Sequence, residues 1–263
     1  MTKVKFNYNY ITKNKYKNLF KLRLPYPEKK FVIYTRGRTG STVLTELLNC
    51  HPEIYCDVEI FNYLYCISKV RFPGLYINSC SKRAAKLGKS TYGFKVKIAQ
   101  LRYEHNYLNY EKILTDLHSD GWKFIYLKRD NFLRHKLSNI LSSRTKIFHL
   151  KNGDINRTDR IQVDCNELLE GIEYSEEVEQ TEEMNLKSIP HLKLIYENDI
   201  LDNSRHQLTA DKVFSFLGLR SAKVKTDLKR IVPDNLKETI INYEEVFDFL
   251  KDTKYSKFLN SFL

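Results

Sequence analysis

"FVIYTRGRTGSTVLTELL", residues 31–48, sets a β-rich run against a glycine-rich turn and then a helical pattern. Phe31 to Thr35 is β-branched and aromatic, as buried parallel strands are. Residues 41–49 carry apolar side chains at helical spacing. A strand that turns tightly into a helix leaves unpaired N–H groups at the positive end of the helix dipole, and such an end attracts anions. Gly37 and Gly40 allow the backbone to close around oxygens. Thr39, Ser41 and Thr42 add hydroxyl donors, and Arg38 adds a forked cation. The triphosphate signature G-x-x-x-x-G-K-[ST] is missing, because the turn is shorter and no lysine precedes the hydroxyls. An ordinary nucleoside-triphosphate loop is disfavoured. The residues alone leave two readings open: a loop for another anion, or a glycine turn that only caps a helix.

Working outward, three more segments read as buried strands: Tyr92 to Val96, Lys123 to Leu127 and Leu192 to Tyr196. Helical patterns cover 109–118, 131–145, 166–184, 209–217 and 236–250, with Thr209 as an N-cap and Gly218 as a stop. This alternation predicts an α/β fold, a parallel sheet of about 4–5 strands flanked by helices. Ligands in such folds gather beyond the C-terminal ends of the strands. The acidic stretch 171–185, "GIEYSEEVEQTEEMN", reads as a solvated helix end or loop. With only 9 Gly and 6 Pro, no linker divides the chain. One domain over 31–263 is expected, preceded by a basic extension over 1–30 that reads as a solvated arm.

The chain has 263 residues, 42% of them hydrophobic and 13% aromatic, which supports a packed core and argues against wholesale disorder. No apolar run approaches the roughly 18–20 residues of a membrane span, and the first thirty residues lack a signal-peptide pattern. A cytoplasmic protein is the expectation. The net charge of +12 favours anionic partners without choosing among nucleic acid, acidic membrane and phosphorylated small molecules. Five cysteines, none in a Cys-x-x-Cys pair, fit neither a disulfide framework nor a zinc site.

A second strand-to-helix element, "FIYLKRDNFLRHKLSNI" (124–140), brings Arg129 to a strand end and Ser138 nine residues later. Arg134 lies on the helix between them. A cation with a hydroxyl suits a phosphate monoester, and the two elements together suggest one ligand with two anionic groups.

On these residues the chain resembles the sulfotransferases that use 3′-phosphoadenosine 5′-phosphosulfate (PAPS). "TRGRTGSTVLTELL" is similar to their 5′-phosphosulfate loop and "LKRDNFLRHKLS" to their 3′-phosphate element. "YGFKV", "LIYENDILDN", "VFSFLGL" and "NLKETIINYEEV" follow in the family's order, closest in style to the bacterial carbohydrate and glycolipid members. Residues 30–260 are covered, and "YEND" departs from the commoner Tyr-Glu-Asp-Leu at Asn198. The resemblance implies a P-loop-like sulfotransferase fold, PAPS as donor, 3′,5′-adenosine bisphosphate (PAP) as product, and no metal. It implies that Arg36, Gly37, Arg38, Thr39, Gly40, Ser41 and Thr42 surround the 5′-phosphosulfate, with Arg38 as the loop cation. Arg129 and Ser138 would take the 3′-phosphate, and Lys229 would be a C-terminal basic contact.

An alcohol acceptor needs a base, and Glu59 in "CDVEIFNYL" matches the acidic position of the glycolipid members, with apolar neighbours expected to raise its pKa. His51 and Glu53 are rivals by proximity, while His105 and His135 read as surface or packing residues. The implied acceptor is a sugar, a glycolipid or another small hydroxyl compound, shaped by 60–90 and 145–185. Rival functions are an ATP–magnesium kinase of similar fold, a basic nucleic-acid-binding protein, and a relative that keeps the donor site without chemistry.

Overall fold

The computed structural model describes residues 15–21, 23–66, 68–145, 150–151, 160–229 and 235–262. Five strands form one sheet: β1 (Lys29–Thr35), β2 (Ile54–Glu59), β3 (Thr91–Val96), β4 (Lys123–Lys128) and β6 (His191–Ile195). Their order is β2-β3-β1-β4-β6, and every pairing is parallel. The chain leaves β1 toward one edge and leaves β4 toward the other. The crevice beyond β1 and β4 is therefore the switch point at which such sheets bind ligands. The α/β class and parallel sheet expected from the alternating pattern are present, with four of the five strands where the sequence placed them.

Alternation along β1 explains the layers, since successive strand residues face opposite ways. Phe31 and Ile33 point into a core with Leu44 and Leu48 of α1 (Ser41–Asn49) and Val213 and Phe214 of α7 (His206–Leu217). Val32 and Tyr34 point the other way, toward Tyr76 and Ile77 of α3 (Pro73–Lys86), Leu114 of α4 (Tyr110–Ser119) and Trp122. A third cluster joins Leu137 of α5 (Phe132–Thr145), Leu168 and Ile172 of α6 (Cys165–Leu186) and Val246 of α8 (Tyr243–Lys251). A one-turn helix, α2 (Tyr63–Cys66), and a two-stranded ribbon, β5 (Leu150–Lys151) with β7 (Leu228–Lys229), complete the named elements.

Several local expectations are corrected. Strand β2 and helix α3 were not foreseen. Thr209 lies inside α7, which starts at His206, and its hydroxyl donates to the Asp199 carbonyl at 2.7 Å. Gly218 does end that helix, with φ 72°. The pattern at 236–250 is broken into a 3-10 turn and α8. The described part of the basic extension is not a solvated arm. Asn18 is buried and donates to the Ser79 carbonyl at 3.0 Å, Lys86 donates to Asn18 at 2.6 Å, and Tyr16 packs edge-on against Tyr76. Lys13 lies outside the described residues.

Candidate functional site

β1 delivers the chain to the loop at the C-terminal edge of the sheet. Arg38 and Gly40 both take left-handed backbone angles, φ 64° and 76°. At Gly40 that conformation suits the residue, and space demands it as well. A Cβ there would sit 2.6 Å from Ile200 Cγ2 and 2.8 Å from a Tyr196 ring carbon. The turn after β6, held by Asp199 accepting from the Ile195 N–H at 2.8 Å, thus presses on the loop. Helix α1 begins at Ser41 with no side chain capping its N-terminus and no acidic residue in its first turn. An amide end of this kind attracts anions.

The distant strand-to-helix element closes onto this loop. Arg38 Nε donates to Ser138 Oγ at 3.0 Å, and Arg129 donates to the Arg38 carbonyl at 3.2 Å. The Arg129 guanidinium stacks 4.5 Å from the Tyr196 ring centre and lies 3.5 Å from Glu197. Glu197 also accepts from the Asp130 and Asn131 N–H groups at 3.0 and 3.2 Å, so the start of α5 is already neutralised by the protein's own carboxylate. Of the starts of α1 and α5, α5's is capped by Asn131, which accepts from the Arg134 N–H, and α1's has no side-chain cap. Burial holds Arg38 below its usual pKa, against the pull of Tyr196.

Two loop residues bond within the protein in ways the sequence does not show. Thr39 is fully buried, and its hydroxyl lies 2.6 Å from Thr35 Oγ1 and 3.0 Å from the Arg36 carbonyl, so it knits the turn together. Arg36 turns its guanidinium inward to α6, 3.1 Å from Glu179, 3.2 Å from Glu182 and 2.6 Å from the Ser175 carbonyl. The acidic stretch of α6 is therefore solvated on one side only: Glu173, Glu177 and Glu183 are exposed, while Glu182 is 0% exposed. Lys128 joins the same network through Glu179. Burial pushes the Glu182 carboxyl up to about 7, more than Arg36 and the Tyr126 hydroxyl pull it down.

Glu59 stands on the other side of the loop. Two residues of β2, Val58 and Glu59, oppose Lys95 of β3 where one would be regular, and this bulge turns Glu59 toward the ligand edge. Its carboxylate lies 2.9 Å from Lys97 Nζ, 2.9 Å from Gln100 and 3.9 Å from Lys95 Nζ. Lys95 also donates to Thr42 Oγ1 at 3.3 Å, and Lys97 Nζ is 3.7 Å from where a Cβ on Gly37 would lie. The expected upward shift does not occur. Burial does push the Glu59 pKa up, but Lys97, Lys95 and the Asn62 amide together hold it below the ordinary carboxylate value.

The rival bases are placed elsewhere. His51 and Glu53 follow the far end of α1, at the opposite edge of the sheet. His51 bonds to the Arg220 carbonyl and accepts from the Glu53 N–H. His105 is a packing residue between the Phe61 carbonyl and the Val70 N–H. His135 is buried too, but it serves the loop: its Nε2–H donates to the Gly37 carbonyl at 2.7 Å. Burial, with Arg36 adding to it, lowers its pKa to about 3, so the ring is neutral. Ser41 is nearly buried at the first turn of α1, and Lys229 belongs to β7, paired with Leu150 outside the main sheet. Sequence reading missed Lys95, Lys97 and Gln100. Among the described residues, no group of three or more His, Cys, Asp or Glu stands together as a metal site. The chain matches no known family model, and no curated protein is similar enough to it to count as a relative.

Proposed function

We propose that the chain is a PAPS-dependent sulfotransferase acting on a hydroxyl of a carbohydrate, glycolipid or other small acceptor. The observation that supports this reading best is the meeting of Arg38, Arg129 and Ser138 beside the uncapped start of α1. A donor with two separate anionic groups needs two such places a few ångströms apart, and the triphosphate lysine is absent from the loop. The 5′-phosphosulfate lies against the α1 amides with Arg38 and Lys97 at its flanks. The 3′-phosphate meets Arg129 and Ser138.

In the reaction the acceptor oxygen attacks sulfur in line with the leaving phosphate oxygen. The new S–O bond forms as the old one breaks, the bond electrons stay with PAP, and the acceptor proton passes to Glu59. Arg38 and Lys97 offset the charge that gathers on the leaving side, and such fixed cations cost no reorganisation at that moment. Lys95 and Lys97 keep Glu59 ionised and ready to accept a proton, although they also weaken it as a base. His135 fixes the Gly37 carbonyl and with it the turn of the loop.

Calorimetry with PAP, ATP–magnesium and a generic oligonucleotide tests the donor class. Tight binding of PAP alone is the expected result. Binding of ATP–magnesium in its place would mean a kinase, and steeply salt-dependent binding of the oligonucleotide would mean a nucleic-acid protein. Transfer of labelled sulfuryl groups to a panel of sugars and glycolipids then identifies the acceptor.

A further inference from the structure

The positive charge of this chain is not spread evenly. Residues 15–27 contain four Lys/Arg and residues 60–90 contain six, and neither stretch holds an Asp or Glu. The fold packs one onto the other. The segment around Tyr16–Lys21 lies along α3, tied by the Asn18–Ser79, Lys86–Asn18 and Lys82–Lys21 hydrogen bonds. Arg83 offsets its charge against Asp57 at 2.8 Å. Lys17, Lys21 and Lys86 stay on the outside, close enough that the first two depress the pKa of the third, after burial.

Large apolar side chains on the same segments face water. Phe20 is 81% exposed, Phe72 60% and Leu75 50%. Side chains of this size gain from leaving water, so several of them exposed on adjoining segments call for a cover. A nucleic acid would use the lysines and an aromatic face, but an aliphatic chain such as Leu75 offers nothing to a base or a phosphate. A lipid surface uses all three kinds. Anionic headgroups take the ammonium groups, and the acyl boundary takes both aromatic and aliphatic side chains.

We infer that this face, formed by the segment around Tyr16–Lys21 and α3, docks the protein peripherally on an anionic lipid bilayer. Docking also has a direction. The Tyr76 hydroxyl donates to the Ile60 carbonyl at 2.9 Å, so the end of α3 that carries Phe72 and Leu75 abuts the strand end that carries Glu59. A lipid-borne acceptor would reach Glu59 from the membrane side. That last step alone rests on the sulfotransferase reading.

Co-sedimentation of the full chain with vesicles is the test, comparing phosphatidylcholine alone with phosphatidylcholine mixed with phosphatidylserine over a salt series. Partition onto the anionic vesicles only, weakening as salt rises, is expected. Lys17→Ala with Lys21→Ala should lower that partition roughly thirtyfold, from the usual contribution of a surface lysine. Phe20→Ser with Phe72→Ser should lower it about tenfold or more and leave the salt slope in place. Lys112→Ala with Lys251→Ala removes as much charge from other exposed sites and should change it less than about twofold. Equal binding to both vesicle types overturns the inference, and so does equal loss in the two lysine pairs. Oligonucleotide binding that the patch variants weaken, with vesicle binding unchanged, would hand the face to nucleic acid. The vesicle readout needs no donor, so its failure leaves the PAP calorimetry standing, and the reverse holds too.

Discussion

Gly40→Ala probes the loop most directly. Two costs add at this position. A left-handed backbone costs an L-residue about 1–2 kcal/mol. The new methyl would also lie 2.6 Å from Ile200 Cγ2 and 2.8 Å from Tyr196, both in packed surroundings, and forcing a methyl into such a site costs about 1–3 kcal/mol. A loss of about 2–5 kcal/mol follows, a large part of the roughly 5–15 kcal/mol that holds a domain together. Gly88→Ala is the internal control. It shares a positive φ, 65°, but nothing lies within 4 Å of the new methyl, so only the backbone cost of about 1–2 kcal/mol applies. Urea midpoints of both variants, read with PAP affinity, separate the two costs. Ile200→Ala in the Gly40→Ala background should relieve part of the clash, with a coupling of about 1–2 kcal/mol in the double-mutant cycle. If Gly40→Ala is no less stable than Gly88→Ala, or the cycle shows no coupling, the turn after β6 does not press on the loop and the argument for its rigidity fails.

Arg38→Ala should reduce sulfuryl turnover by on the order of a hundredfold in a labelled-donor assay, the usual loss for one transition-state donor. Arg129→Ala should weaken PAP by about tenfold or more while leaving 5′-AMP nearly unchanged, which paired titrations would reveal. Lys97→Ala removes a cation that holds the Glu59 pKa down, so the acidic limb of the kcat/KM profile should move to higher pH. Glu182 is raised in the folded state. Its contribution is therefore fully present below its ordinary value near 4.5 and is lost as pH climbs toward about 7. Glu182→Gln should flatten that part of the stability–pH curve, measured by urea unfolding at several pH values.

The sequence made β1, the loop and α1 legible because three local signals agree there: strand composition, glycines at the turn and apolar spacing in the helix. β2 gave no such agreement. "IYCDVE" places Asp57 inside a strand, where its partners are Tyr92 and Arg83 from elements far along the chain. Lys95 and Lys97 were hidden for a similar reason. A lysine in a buried strand looks like an edge residue until the β2 bulge brings Glu59 opposite it. Glu179 and Glu182 belong to an acidic run whose composition looks solvated, and nothing local shows that Arg36 waits on their inner side. Arg36 is the mirror case: in a loop rich in anion-binding features, nothing local shows that its guanidinium turns inward to Glu179 and Glu182.

The Arg36–Glu179 pair also bears on how the protein is made. The two residues are 143 positions apart. At about 5–20 residues per second, a ribosome adds Glu179 roughly 7–30 s after Arg36. Through that interval β1 and its glycine turn exist without the acidic helix that neutralises Arg36. A nascent chain stopped before α6 would hold every residue of the loop, and still keep Arg36 in water, outside the place that shapes it.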